Sequence, residues 1–350
     1  MGAWLARRLG QAGLAAWLIA SAVFLLSRLS GPPPEQATLG QPDTLARYGT
    51  AAERQAARQT ALHRLGLDQP VFYVTYSPAA GWQWQGWPNQ YHTWLRALLR
   101  GSLGASYRDG QPVGTQLRPA LAYTLPLVAL ALVLSTAAAL GLAAYLAARR
   151  PGHALLAAAL TGVQALPLFV LGLGLLLLLA NPALLNIMPA ADLSGYPPEV
   201  GTWSWLADYL PRLVLPVACL VLGSLPELTL PLAAALQAEL ANPYAVAARA
   251  KGVGPRRLLW HHALPNAVLP LLAALAGLLP TLVAGAVVVE VLFALPGMGR
   301  LLAEAAATRD YPVLQAGVLL TAGARLLALL LADIAHYALD PRVRATALPR

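Results

Sequence analysis

Apolar positions dominate long runs of the chain, and six runs are long enough to cross a bilayer: residues 10 to 29, 120 to 147, 154 to 180, 210 to 236, 266 to 293 and 312 to 338. A bilayer core takes about 20 apolar residues as helix, because each backbone polar group must find its partner inside the segment. The pattern predicts an all-α membrane protein with six transmembrane helices. Spans one and two are separated by a long polar stretch, residues 30 to 118, which predicts a small mixed insertion. Within it, residues 43 to 65 have a helical charge spacing with Glu53, Arg54 and Arg58. Trp82-Gln83-Trp84-Gln85-Gly86-Trp87 alternates with the period of a strand or hairpin. Those tryptophans could anchor at a membrane interface, meet a soluble protein, or pack the core of the insertion. Packing is the commonest use of such stripes, and the sequence leaves all three readings open.

Charge in the loops sets the orientation. Arg7 and Arg8 precede span one, Arg149, Arg150 and His153 join spans two and three, Arg249 to Arg257 join four and five, and Arg342 and Arg344 follow six. Residues 181 to 209 hold Asp192, Glu199 and Asp208 but no lysine or arginine. The positive-inside rule then places both termini in the cytoplasm and residues 30 to 118 outside, since long loops cross regardless of charge. The division is 1–29, cytoplasmic N-terminus and first span; 30–118, extracytoplasmic insertion; 119–338, transmembrane core with a cytoplasmic segment 242–265; and 339–350, cytoplasmic tail. A cleaved signal peptide at the N-terminus is disfavoured, because no clean small-x-small site precedes Gly31. Pro126, Pro167, Pro216, Pro226, Pro231, Pro270 and Pro280 fall inside apolar runs. They predict bends, either around a pathway or as ordinary features of packed helices.

Composition agrees. Of 350 residues 58% are hydrophobic and 11% charged, with mean hydropathy +0.58, whereas a soluble domain carries roughly 25% charge. A net charge of +9 raises nucleic acid as a partner, but the arginines lie between apolar runs without interleaved aromatics, so none is predicted. The single Cys219 excludes an internal disulfide and reads as a small buried hydrophobe. His261 and His262 are adjacent, about 100 degrees apart on a helix, and cannot both face one metal. No metal site is predicted. Glu290 and Arg325 lie in or near apolar spans, where a charge is a functional candidate by default. Asp333 near the end of the last span reads as a solvated or capping group.

Segment 242–265 concentrates basic and small residues: Ala245, Ala247, Ala248 and Ala250 permit close approach of another protein, and Arg249 and Lys251, the only lysine, carry charge. Gly252 and Gly254-Pro255 permit a sharp break before a second short helix. Val246-Ala247-Ala248 is followed after three residues by Gly252, and after eleven more by Leu264-Pro265. This resembles the signature loop of ATP-binding-cassette importer permeases: Glu-Ala-Ala, three residues, Gly, nine residues, Ile, any residue, Leu-Pro. Val246 stands for the usual Glu and His262 for the usual Ile.

Within that superfamily the dipeptide, oligopeptide and nickel branch is the most similar. Gly66-Leu67-Asp68-Gln69-Pro70, Arg100-Gly101-Ser102-Leu103-Gly104, Ser106-Tyr107, Pro112-Val113, Pro296-Gly297-Met298-Gly299-Arg300, Arg309-Asp310-Tyr311-Pro312 and Asp340-Pro341-Arg342 follow in its order. Ser102 departs from the usual Asp.

The resemblance implies a type I importer permease in the bacterial inner membrane, half of a pathway completed by a second permease. Two cytoplasmic subunits bearing ATP and Mg, and an extracytoplasmic solute-binding protein, are its implied partners besides the bilayer. Tyr244, Ala247, Ala248, Arg249, Ala250, Lys251, Gly252, Leu264 and Pro265 become the coupling residues, and Glu290, Pro296, Gly297 and Arg325 the gate or pathway candidates. Di- or oligopeptides are the implied cargo, with nickel chelates as the alternative. No phosphate-binding G-x-x-x-x-G-K-[ST] loop is present, so the chain is not expected to be an enzyme or to hold a cofactor of its own. An ion-coupled secondary transporter is the rival class, against which the lack of a visible internal repeat counts.

Overall fold

The computed structural model describes residues 2–29, 51–64, 66–78, 81–185, 203, 207 and 210–339. The chain divides into two compact units, one of residues 1–12, 121–300 and 324–350, the other of residues 13–120 and 301–323. Helices α1 (Gly2–Leu29), α2 (Ala51–Arg64), α3 (Gln90–Leu99), α4 (Val113–Ala147), α5 (His153–Gln164), α6 (Leu168–Leu175) and α7 (Val214–Ala241) come first. A hairpin, β1 (Val74–Ser77) and β2 (Gly81–Trp84), precedes α3. Then follow α8 (Pro243–Ala250), α9 (Pro255–Leu258), α10 (Val268–Leu292), α11 (Met298–Thr308) and α12 (Tyr311–Leu339).

Among the described residues, four helical stretches are long and apolar enough to cross a membrane: Ala6–Arg28, Val113–Ala147, Leu210–Ala241 and Tyr311–Leu331. The run expected as one third span is broken instead. Helices α5 and α6, the latter extended by a π-helical turn to Ala180, meet at 106° and count as a fifth span only if taken together. Pro167 stands at the break with φ −58° and ψ 140°, since proline clashes with helical geometry before it. The prolines of α7 act differently: Pro226 and Pro231 lie within one continuous helix. Helix α10 runs unbroken for 25 residues, and among its described residues Gly277–Leu292 is an apolar stretch.

The core of the first unit forms where α7 packs on α10, α5 and α6. Leu228, Leu232, Leu236, Leu278, Leu282 and Ala286 are buried there. Small residues let these backbones approach, as is usual where lipid supplies no hydrophobic drive between helices. A Cβ at Gly172 would lie 2.5 Å from Leu292 Cδ2 and 3.1 Å from Cys219 Sγ. Cys219 is thus fully buried, as its apolar surroundings predicted. Ser135 and Ser224 share a buried 2.7 Å hydrogen bond between α4 and α7. Asp333 is ion-paired to Arg8 at 3.0 Å, both partly exposed, a contact worth about 0–1 kcal/mol.

In the second unit the hairpin pairs Val74 with Trp84 and Ser77 with Gly81 in antiparallel register, as the alternation predicted. Its tryptophans do not form a core, however. Trp82, Trp84 and Trp87 are 65 to 75% exposed, lying against Tyr73 and Tyr76, and the buried aromatic centre is Phe24 with Tyr91. Burial does alternate along β1, but the half-buried face carries Thr75 and Ser77 while Trp82 and Trp84 stand with Tyr76 and Val74 on the exposed one, so the period predicted the strand but not which face packs. Asp310 is the polar anchor of this unit. It accepts from Ser106 Oγ at 2.5 Å and from the Tyr107 N–H at 3.0 Å.

Candidate functional site

The segment between α7 and α10 is a helical elbow. Helix α7 ends at Asn242, whose extended ψ of 150° turns the chain, and Pro243 starts α8 at the position where a missing N–H costs nothing. Helix α8 ends in a Schellman motif: the Val253 N–H returns 3.1 Å to the Ala248 carbonyl and the Gly252 N–H 2.9 Å to that of Arg249. Gly252 has φ +82°, a left-handed conformation that other residues adopt at a cost of about 1–2 kcal/mol. Gly254 then leads into Pro255 and α9, which runs on through a π-helical turn, Leu259–Ala263, and a last turn, Leu264–Asn266. Ala245, Leu258, Leu259 and Ala263 are buried and hold the elbow to the helices above it. The opposite side is open: Tyr244, Val246, Ala247, Arg249, Ala250, Lys251, Gly252 and Pro265 are exposed, and Ala248 and Leu264 are half-buried. The predicted coupling residues therefore share one short, accessible element of methyl groups and cations.

A polar knot closes the ends of this elbow. Glu239 Oε2, near the end of α7, accepts from Tyr244 OH at 2.7 Å, Asn242 Nδ2 at 3.2 Å and Asn266 Nδ2 at 3.3 Å, and Asn266 also donates to the Tyr244 oxygen at 3.1 Å. Burial, and then the Glu239 carboxylate, push the Tyr244 phenol above its ordinary 10.0, against the opposing Asn266 bond. Arg249 donates at 3.1 Å to the Leu240 carbonyl, one of the last four of α7, which helical bonding leaves free. Glu239 and Asn266 were not among the residues read from sequence. The one signal for them is polarity at the two points where an apolar run meets the elbow. On the second arm of the elbow, an open cavity of about 690 Å³ is lined by Gly254, Pro255, Arg256, Arg257, Trp260 and His261.

The gate candidates separate. Glu290 is fully buried and its carboxylate is spoken for. Thr124 Oγ1 donates to Oε1 at 2.6 Å, and the N–H groups of Gly299 and Arg300 donate to Oε2 at 2.6 and 3.3 Å, while the Met298 N–H donates to Thr124 Oγ1 at 2.8 Å. The carboxylate thus satisfies the free N–H groups that open α11, where negative charge is favoured. The main chain of the same residue ends α10: the Leu295 N–H returns 2.8 Å to the Glu290 carbonyl, past Ala294 at φ +54°. Pro296, half-buried, and Gly297, buried, form the turn between the helices. A Cβ at Gly297 would fall on the Glu290 carboxylate. Arg325 is not part of this cluster. It is exposed on α12 with no partner among the described residues.

Residues 137–345 match the family model of the binding-protein-dependent transport system inner membrane component, a span that takes in the elbow, Glu290 and Arg325. Over its whole length the chain is similar to bacterial permeases. A protein of Sinorhizobium fredii described as a probable peptide ABC transporter permease is 30% identical over 98% of this chain and 100% of its own. The dipeptide transport system permease of Escherichia coli K12 is 31% identical over 85% of this chain and 87% of its own. The di/tripeptide transport system permease of Pseudomonas aeruginosa is 30% identical over 97% and 98%.

Proposed function

Because the chain belongs to the family of binding-protein-dependent transport system inner membrane components, we propose that it is one permease subunit of an ATP-driven importer of di- or oligopeptides. Six spans cross the inner membrane with both termini in the cytoplasm: α5 and α6 together make the third, α10 the fifth, and residues 30–118 face outside. A second permease completes the pathway, two ATPase subunits holding ATP and Mg dock from within, and a solute-binding protein delivers cargo from without. The chain itself holds no nucleotide. Relatives with near end-to-end similarity carry peptide permease names, which supports the cargo class.

The observation that carries this reading is the elbow. An exposed helix of small and cationic residues, terminated by a left-handed glycine and knotted through Glu239 and Asn266 to the ends of two long helices, has the form of a lever. A protein that grips α8 displaces the knot, and the knot moves α7 and α10 together. Closure of the ATPase subunits on ATP then favours one arrangement of the bundle and their release the other.

The test is chemical crosslinking in the assembled complex. Single cysteines at Ala248 and Lys251 crosslink to the ATPase subunits, and the Gly252→Asp variant inserts in the membrane normally but transports nothing. Crosslinks that never reach an ATPase, or normal uptake by Gly252→Asp, would refute the coupling role.

A further inference from the structure

Two charged side chains stand at the centres of apolar helices and belong neither to the Glu239 knot nor to the Glu290 cluster. Glu227 lies 13 residues after Val214 and 14 before Ala241, the ends of α7; Arg325 lies 14 residues from Tyr311 and 14 from Leu339, the ends of α12. At 1.5 Å per residue each stands roughly 20 Å from either end of its helix, which puts both near the middle of a bilayer that the helices cross. Both side chains are exposed, and neither has a hydrogen-bond or ion-pair partner among the described residues. Asp333, the other charge on α12, is held by Arg8. A charge facing lipid at mid-helix costs about 2.5–3.5 kcal/mol or more, so these two face water or another molecule.

The local chemistry of each is specific. Pro231 has no N–H to return to the Glu227 carbonyl one turn before it, so the proline within α7 frees a backbone acceptor next to an unpaired carboxylate. Two acceptors side by side, one of them ionised, suit an ammonium group, which only donates. Arg325 offers the planar donor fork that matches a carboxylate. A free peptide carries one group of each kind.

We propose that Glu227 and Arg325 are this chain's contacts with the charged ends of the peptide in the translocation pathway. Glu227, with its freed carbonyl, receives the N-terminal ammonium, and Arg325 receives the C-terminal carboxylate. The assignment rests on the peptide-import reading above and adds the groups that recognise the cargo. The midplane is also where transporters commonly place their substrate sites.

The experiment uses the complete complex, with binding protein and ATPases, in proteoliposomes, with cysteine removed from the other subunits. The buried Cys219 of this chain serves as an unreactive background. Glu227→Cys and Arg325→Cys are treated with charged methanethiosulfonates, one adding a sulfonate and one an ammonium. Both positions are expected to label, and each unlabelled variant to take up dipeptide about tenfold more slowly or worse, the loss of one charge-assisted contact. Sulfonate at 227 and ammonium at 325 restore uptake, and the opposite charges do not. Glu227→Gln and Arg325→Met co-purify with their partners as the wild type does.

Absence of labelling at both positions, equal rescue by either charge, or loss of the second permease from Glu227→Gln would overturn the inference. The last result would mark an ion pair between subunits. A wild-type complex that imports no dipeptide sinks the cargo reading instead, whereas normal wild-type uptake with unlabelled cysteines sinks this inference alone.

Discussion

Thr124 and Glu290, 166 residues apart in sequence, meet in a buried 2.6 Å hydrogen bond through which α4 grips the turn between α10 and α11. The same hydroxyl accepts the Met298 N–H, so one side chain both orients the carboxylate and caps the following helix. Thr124→Val keeps the shape and removes both bonds. The purified protein should lose about 1–3 kcal/mol for each of the two groups left unmet, a buried acceptor and a buried donor, read as a lowered unfolding midpoint. Thr124→Ser should stay near the wild type.

Gly297→Ala tests the same turn from the other side. An added methyl meets the Glu290 carboxylate, and overpacking of a filled site costs about 1–3 kcal/mol. Combined with Glu290→Ala, which vacates the space, the two losses should be less than additive. A fully additive pair would contradict the close approach.

Tyr244→Phe removes the shortest of the three bonds to Glu239 and should lower the transport obtained per ATP hydrolysed while leaving the amount of assembled complex unchanged. The pH dependence has a definite sign. A phenol held above 10.0 in the folded state keeps its proton longer there than in the unfolded chain. Its contribution is therefore whole below about pH 10 and is lost as pH rises through the higher folded value. Alkaline titration of the unfolding midpoint should show a steeper fall for the wild type than for Tyr244→Phe.

Asp310→Ala should leave Ser106 Oγ and the Tyr107 N–H without their acceptor, at about 1–3 kcal/mol for each buried group. Limited proteolysis should then cut residues 100 to 112 faster. Asp310→Asn, which keeps one accepting oxygen, should fall between.

The long helices were legible in the sequence because membrane spans announce themselves by length and apolarity, and the elbow because Asn242-Pro243 and Gly252 are start and stop signals whose chemistry is local. Pro167 was legible as a disturbance but not as a 106° break, since Pro226 and Pro231 sit in an unbroken helix with the same local signature. What differs is the packing around each proline, which no local pattern encodes. The knot was hidden for a related reason: Glu239 and Asn266 are 27 residues apart and meet only after α8 and α9 have folded between them. Glu227 is inconspicuous in the sequence, inside a proline-rich apolar run. Its placement on an exposed face, while Leu225 and Leu228 beside it are buried, is a property of the folded helix.

Lys251 caps α8 in full view of solvent and is the sole lysine of the chain. Amine-directed reagents consequently address one side chain, apart from the N-terminus, and that side chain marks the joint of the elbow. A lysine-specific endoprotease would nick the polypeptide once, parting α7 and α8 from α9 and α10. Whatever shields that bond from cleavage in vesicles is the molecule seated on the elbow, so a single digestion reports occupancy without any engineered label.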